Sequence, residues 1–578
     1  MRAVLLSLVA PALCGLAAAG PVTFNVLSFS TATSVLVGGV ETPLKAADPT
    51  QPLFSGIVET GSATTYKYVA DGVAELFERT LNTSMSYTFN EFYNRTQTSV
   101  KLPPFPQPFQ PEPIWNRDIA KLPLYDDSYV PTVHITAPAA EVETLQKTLI
   151  STVISTFTIY LKNQTVTIPG TRFAYHKDKP TYETKRGLSF AMPADKTLFG
   201  RQYFKFRDMV TDETKVRQYL HTDLARAIGL TPPRERPVRV YVNKAPYGLY
   251  AMNDFHTMDN VTNTLETWAV NHFHKGVAPE KLGLIFDAGS GSDWVYKTDD
   301  PTAYTGLKSD IPTQNVADLI PVFKQVAALG TDASDANVAA LATQVDIETV
   351  LRVCALEYLT SNWDGFWKGS TNYIVYNDPV TKKWTLIPQD FDSALGMDLH
   401  NDTAASSYKD WETATVSPLI NNVLKNPAQR ARFETILKAI VQRLFNPVAF
   451  NRRAEPFFQQ MYQDIAWDFQ TPVYTVGKAT YGNIENANDV FYNNATGLLA
   501  WVRQRAETVT KEFNFQWDTV IQEPPAEETE TPAPAGGPTE PGTTPVGPGA
   551  PAAKNSGSRV MATSGLFAAL LAAAITML

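Results

Sequence analysis

Asp364, Asn372, Asp390 and Asp392 are four oxygen-bearing side chains within one short stretch, Tyr358 to Asp392, and the pattern around them predicts that they meet. Ahead of them, Asp346 can cap a helix whose apolar positions Ile347, Val350, Leu351, Cys354 and Tyr358 fall at the three-and-four spacing of one buried face. That helix must stop near Asn362. Thr371 to Tyr376 is then β-branched and aromatic, Asn377-Asp378-Pro379 is turn chemistry, and Lys383 to Ile387 is a second short strand. A hairpin brings its outer ends together, so the four polar groups converge on one edge where nothing apolar demands them.

Such a set suits phosphoryl transfer, which needs an acid to orient or deprotonate the attacking hydroxyl, an Asn and an Asp to hold Mg²⁺, and a Lys for the nucleotide phosphates. In that assignment Asp364 is the catalytic acid, and Asn372, Asp390 and Asp392 are metal ligands. The residue types come in the order of protein kinases, but the spacing differs. Four residues separate the catalytic Asp from the Asn in the kinase pattern, whereas seven lie between Asp364 and Asn372, and Asp392 stands where D-F-G has its glycine. The competing reading is structural: Asp364 and Asn372 cap a helix and a turn, and Asp390 and Asp392 end a strand.

Four separated blocks carry a family resemblance: YFKFRD (Tyr203 to Asp208), VRVYVN followed by YGLYAMND (Val238 to Asp254), EYLTSNWDGFW (Glu357 to Trp367) and IPQDFD (Ile387 to Asp392). In this order they resemble the spore-coat protein H (CotH) family of atypical kinase-like proteins, and most of all the cell-surface CotH proteins of mucoralean fungi. The resemblance spans Phe24 to about Asn514. It implies an α+β fold of the atypical, secretory-type protein-kinase-like kind, with ATP and Mg²⁺ as cofactors. It also places Lys205 at the family's nucleotide-phosphate lysine, Arg217 at a recurrent arginine that meets phosphate or a carboxylate, and Asp254 at an acid near the nucleotide. Two departures stand out. Where many members have a glycine-bearing basic loop ahead of the lysine strand, this chain has Tyr175-His176-Lys177-Asp178-Lys179, with Gly170 and Gly187 outside it. In the invasin-like members, the segment after W-D-G-[FY]-W is implicated in host-cell binding; here it reads Lys368 to Lys383 and shares the spacing but few residues.

The elements that must position these residues follow in chain order. Met1 to Ala19, with Arg2 ahead of an apolar run and Ala17-Ala18-Ala19 at its end, reads as a secretory signal peptide. Of the two cysteines, Cys14 lies in that segment, leaving Cys354 as a small buried hydrophobe. Residues 20–101 alternate in short strands and read as a small β-sandwich. Residues 102–129 are a Pro-rich connector, and 130–515 form the kinase-like body. Within it, Thr165 to Ile168 reads as a strand, Arg201 to Arg207 as a strand with Tyr203, Lys205 and Arg207 on one face, and Thr214 to Ile228 as an amphipathic helix. Pro237 to Val242 and Tyr247 to Met252 read as a hairpin. Beyond Asp392 the pattern is helical, clearest at Ala431 to Leu444 and Gly497 to Phe513.

Residues 523–555, rich in Pro, Gly, Thr and Glu, cannot bury enough apolar surface to fold and read as a stalk. Small residues at Asn555-Ser556-Gly557, a short spacer and the apolar tail Gly565 to Leu578 match a GPI-attachment signal, with Asn555 or Ser556 as the attachment residue and 556–578 removed. Six N-x-[S/T] sequons, at Asn82, Asn94, Asn163, Asn260, Asn401 and Asn494, fit the eukaryotic secretory route and should face solvent. The 578 residues carry a net charge of −9 and 44% hydrophobic residues. That composition supplies a large core and argues against general nucleic-acid binding. Together these features imply a GPI-anchored cell-surface kinase that binds nucleotide and phosphorylates secreted or cell-wall proteins. The rival is an adhesin or invasin that keeps the fold and binds a host-cell receptor without catalysis.

Overall fold

In the strand Ala19–Leu27, Val22, Phe24 and Val26 alternate inward, as a half-buried strand requires. It pairs with Leu53–Gly61 on one side and Glu91–Phe92 on the other. A second sheet is built around Thr33–Val37 and Thr65–Ala70. The two sheets bury one apolar cluster that includes Phe24, Val35, Phe54 and Tyr68. The computed structural model describes residues 19–109, 122–176, 185–253 and 283–521, apart from 310, 312, 400, 401, 415, 416, 475–481, 494 and 496. Residues 1–18 of the expected leader, Lys177 to Lys179, Asp254, the sequons at Asn260, Asn401 and Asn494, the expected stalk and the expected attachment residues Asn555 and Ser556 lie outside these residues. Asn82, Asn94 and Asn163 are exposed.

The next seven strands close into a barrel, in the order Thr132–Thr136, Thr152–Tyr160, Thr165–Tyr175, Leu188–Ala191, Tyr203–Arg207, Ala245–Asn253, Glu235–Val242. A parallel pairing of Thr132–Thr136 with Glu235–Val242 completes the ring. The strand expected to end at Ile168 runs on to Tyr175. Pro169-Gly170 reads as a break, yet the ladder continues because a register shift opposite Ser155 and Thr156 accommodates the extra residue, and Gly170 takes the left-handed backbone (φ 79°) that such a bulge favours. In Tyr203–Arg207, Phe204 and Phe206 point into the barrel core. Tyr203, Lys205 and Arg207 therefore share the outer face.

The remainder is a four-stranded sheet, Leu307–Lys308, Ile285–Ala288, Tyr373–Asn377 and Trp384–Pro388, packed among helices. Asp346 accepts from the Thr349 amide and caps the helix Ile347–Thr360, which ends at Ser361 in the left-handed conformation. The helix Arg217–Ala227 joins the same apolar core. No helix among the described residues is long and apolar enough to cross a membrane.

The longest helix, Pro447–Gln470, ties these parts together. Asn446 caps it, and Phe450, Phe457, Phe458, Met461 and Ile465 form its buried face despite Pro456 in its interior. Near its end two buried carboxylates lie one turn apart. Asp464 accepts from Arg239 at 2.6 and 2.7 Å and from Arg95 at 2.8 Å, joining barrel and sandwich. Asp468 accepts from Lys185 at 2.6 Å and from the Leu249 amide at 2.7 Å. Removing one partner of a buried ion pair strands the other in a low-dielectric interior. Asp464→Ala should therefore lower unfolding stability by about 3 kcal/mol or more, read by denaturant titration, whereas loss of an ordinary surface pair would change it by less than about 1 kcal/mol.

Candidate active site

The loop bearing Asp364 is built on a buried carboxylate. Ser361 reverses the chain after the helix Ile347–Thr360, and the Asn362 amide returns to the Glu357 carbonyl at 2.9 Å. The Glu357 side chain then receives the amides of Phe366 and Trp367, both at 2.7 Å, and so caps the short helix Phe366–Gly369. Burial pushes the Glu357 carboxyl up to about 8, against the pull of those two amides. Gly365 fits because a Cβ there would lie 2.3 Å from Glu357 Oε1. Trp367, wholly buried between Trp411 and Phe433, anchors the far side. With both ends fixed, Asp364 projects from the intervening turn.

Asn372 sits at the hairpin mouth. Its amide bonds to the Ala288 carbonyl at 3.1 Å, its carbonyl accepts from Gln389, and its φ is 56°. Its side-chain nitrogen donates to the Asp364 carbonyl at 2.8 Å and to Asp364 Oδ2 at 3.0 Å. With the nitrogen so used, Oδ1 is the atom Asn372 can offer a cation. Across the hairpin, Tyr373 pairs with Pro388, and the chain continues into Asp390, also left-handed at φ 61°. Phe391 donates its amide to Gln218 at 2.8 Å and stacks on His221, with ring centroids 4.1 Å apart. Gln218 and Asn253 both donate to the buried Glu235, each at 2.7 Å. The acids are thus held by the barrel, the helix Arg217–Ala227 and the hairpin at once.

Arg207 meets Asp390 through Nη1 and donates to Asp392 Oδ2 through Nη2 at 2.9 Å. Thr211 adds a hydroxyl donor to the same Asp392 oxygen at 2.8 Å. Burial and the nearby Asp390 hold the Asp392 carboxyl above its ordinary value, although Arg207 pulls it down. The Asp364 carboxyl is pushed up to about 6, first by burial and then by repulsion from Asp390 and Asp392. The structure therefore brings Asp364, Asn372, Asp390 and Asp392 to one edge. Lys205 lies half-buried on the same strand face as Arg207, in register with Ser189 and Asn253, and Arg207 is the residue whose guanidinium spans Asp390 and Asp392. Arg217 meets a carboxylate, one of the two partners the resemblance allows: its guanidinium is buried on Asp212 at 2.5 Å, where it braces the turn after Thr211. In the loop Gly289-Ser290-Gly291-Ser292, Ser292 is buried and its amide bonds to the Ser370 carbonyl.

Arg207 and Glu357 are the residues the sequence pattern did not single out. Strand alternation puts Arg207 beside Lys205, and Glu357 is an acid inside an otherwise apolar run; either feature marks them.

A model of the family described as CotH kinase protein matches residues 178–509, more than half of the chain. The chain belongs to the CotH family. Among curated CotH proteins of Rhizopus delemar, Invasin CotH3 is 30% identical over 93% of this chain and 90% of its own length. Invasin CotH7 is 31% identical over 78% and 75%. The Inner spore coat protein H of Bacillus subtilis is 24% identical over 48% of this chain and 71% of its own. The CotH match begins inside the barrel and takes in every residue of the acidic edge.

No three acidic or imidazole side chains among the described residues form a ready cage for a metal ion. The donors are nevertheless hard oxygens, as Mg²⁺ prefers, and Mg²⁺ usually takes one or two carboxylates together with ligand phosphates rather than an all-protein cage. Asp390, Asp392 and Asn372 Oδ1 fit that mode.

Because Asp364 binds a proton more readily folded than at its ordinary value of 3.8, its contribution to stability is complete below that value and is lost as pH rises through about 6. Asp364→Asn should accordingly raise Tm above about pH 7 in chelator, by the equivalent of about 1 kcal/mol after solvent screening, and leave it unchanged below about pH 4. A lower Tm at the higher pH would show that the carboxylate is favourably held.

Proposed function

We propose that this CotH-family protein is an ATP- and Mg²⁺-dependent atypical kinase that phosphorylates hydroxyl groups on secreted or cell-wall proteins. The observation that carries the reading is the convergence of Asp364, Asn372, Asp390 and Asp392 on one edge, with the Arg207 guanidinium on two of the carboxylates. Asp364, hydrogen-bonded through Oδ2 to Asn372, orients the acceptor hydroxyl and takes its proton. Asp390, Asp392 and Asn372 would hold the metal, and the family resemblance assigns Lys205 and Asp254 to the nucleotide. Held by those three residues, Mg²⁺ would supply neutralisation of the charge that develops on the transferring phosphate.

The roles are separable. Asp390→Ala should abolish Mg²⁺-dependent stabilisation of the protein by ATP in a thermal-shift measurement. Asp364→Ala should retain that stabilisation while transfer to a generic protein acceptor falls by about 10²-fold or more. A wild-type protein that neither binds ATP nor transfers phosphate would end the enzyme reading.

The printed names of the Rhizopus delemar relatives favour a second reading, that of an invasin binding host cells. Within Lys368 to Lys383, the exposed residues are Val380, Thr381 and Lys382 at the hairpin turn. On this reading Asp364→Asn and Asp390→Asn leave host-cell binding intact.

Both readings place the protein at the cell surface, and we assign its attachment to a GPI anchor at Asn555 or Ser556, following removal of residues 1–19. A phosphatidylinositol-specific phospholipase should then release it from the cells that make it. Retention after treatment, with peptides from 565–578 still found by mass spectrometry, would mean a tail that stays in the membrane.

A further inference from the structure

We propose that Arg207 is the resident cation of this site: a divalent metal ion displaces its guanidinium from Asp390, and the freed group then binds the phosphates that accompany the metal. The inference rests on the phosphotransfer reading and adds to it a residue that competes with the metal. Arg207 spans Asp390 and Asp392 with two different nitrogens, and its side chain is 22% exposed. A metal held by these two carboxylates therefore meets a positive charge already bound to both. The guanidinium cannot lose its charge by deprotonation, so the conflict is relieved by movement.

The two contacts differ in how readily they can be broken. Asp392, 14% exposed, also accepts from Thr211, whereas Asp390 is 30% exposed. Asp390 is thus the more accessible carboxylate. Release from Asp390 alone leaves one hydrogen bond to Asp392 as a pivot and turns the other face of the guanidinium outward. Its planar set of donors matches phosphate oxygens in a way a lysine does not. Lys205, on the same strand face, would lie beside it rather than replace it.

The proposal predicts effects of opposite sign from one substitution. In Arg207→Met, the affinity for Mn²⁺ alone, followed by loss of the free-ion paramagnetic resonance signal, should rise by about tenfold or more, since a cation beside a carboxylate shifts its cation affinity by that order. Affinity for a non-hydrolysable ATP analogue at saturating Mn²⁺ should fall by about tenfold or more, the loss of a charge-assisted phosphate contact. Arg207→Lys, which keeps the charge but cannot bridge both acids, should show the same signs at smaller amplitude, and it serves if the methionine variant does not fold. A purely structural role would weaken both affinities or neither, and either pattern overturns the proposal. If the wild type binds no analogue even with Mn²⁺, the kinase reading fails, and the metal-alone arm decides whether Arg207 is a competing cation.

Discussion

Three carboxylates share a single edge of this protein, with the Arg207 guanidinium on two of them, and their mutual repulsion governs how the surrounding chain is built. Asp364, Asp390 and Asp392 repel one another at short range, in surroundings that are partly desolvated. Left to local forces they would separate into water. They are kept together because each is fixed from a different direction. Glu357 and Gly365 set the loop of Asp364, the hairpin register sets Asn372 and Asp390, and Gln218 and His221 hold Phe391 between the two acids. The left-handed backbone at Asn372 and Asp390 belongs to the same scheme. Asn and Asp tolerate that conformation better than other side chains, yet sparsely populated backbone still costs about 1 kcal/mol or more, which persists only where neighbours over-determine it.

The barrel and the helical half are coupled through this edge and again at a distance. Arg207 reaches from a barrel strand to the hairpin acids. On the helix Pro447–Gln470, Asp464 and Asp468 reach back to Arg239, Lys185 and the Leu249 amide. The two links differ in kind. The pairs on the long helix are buried and fully hydrogen-bonded, so they resist any rearrangement, whereas Arg207 is partly exposed and bears the excess negative charge on one side only. A fold that is rigid at one joint and electrostatically poised at the other confines motion to the place where ligands would act.

Much of this arrangement was readable before any coordinates, because the signals were local. The cap at Asp346, the helix it starts, the turn at Asn377-Asp378-Pro379 and the two short strands each rest on neighbours in sequence, and they sufficed to bring the four polar groups to one edge. What escaped was non-local. That Arg207 reaches the acids depends on how far the strand Tyr203–Arg207 extends toward the hairpin, and periodicity within a strand cannot report that. Arg217 and its carboxylate partner Asp212 are only five residues apart, but the burial of their pair depends on elements distant in sequence. The strand through Pro169-Gly170 was cut short because a bulge and a turn share the same residue types, and only the partner strand's register distinguishes them.

The hairpin has two ends, and they present different chemistry. Its mouth holds the acids, and its turn exposes Val380, Thr381 and Lys382. Each strand is five residues long, so at about 3.3 Å per residue the ends stand roughly 17 Å apart. That exceeds the screening length of about 8 Å at physiological ionic strength. Charge placed on or taken from the mouth is therefore weakly felt at the turn, and a partner held at the turn need not cover the mouth. Between the ends, Tyr373, Ile374, Val375 and Tyr376 are buried, so the strands are constrained by packing and the turn is the exposed end. A partner at the turn and a ligand at the mouth could accordingly be held on one hairpin, because neither would have to cover the other's contacts.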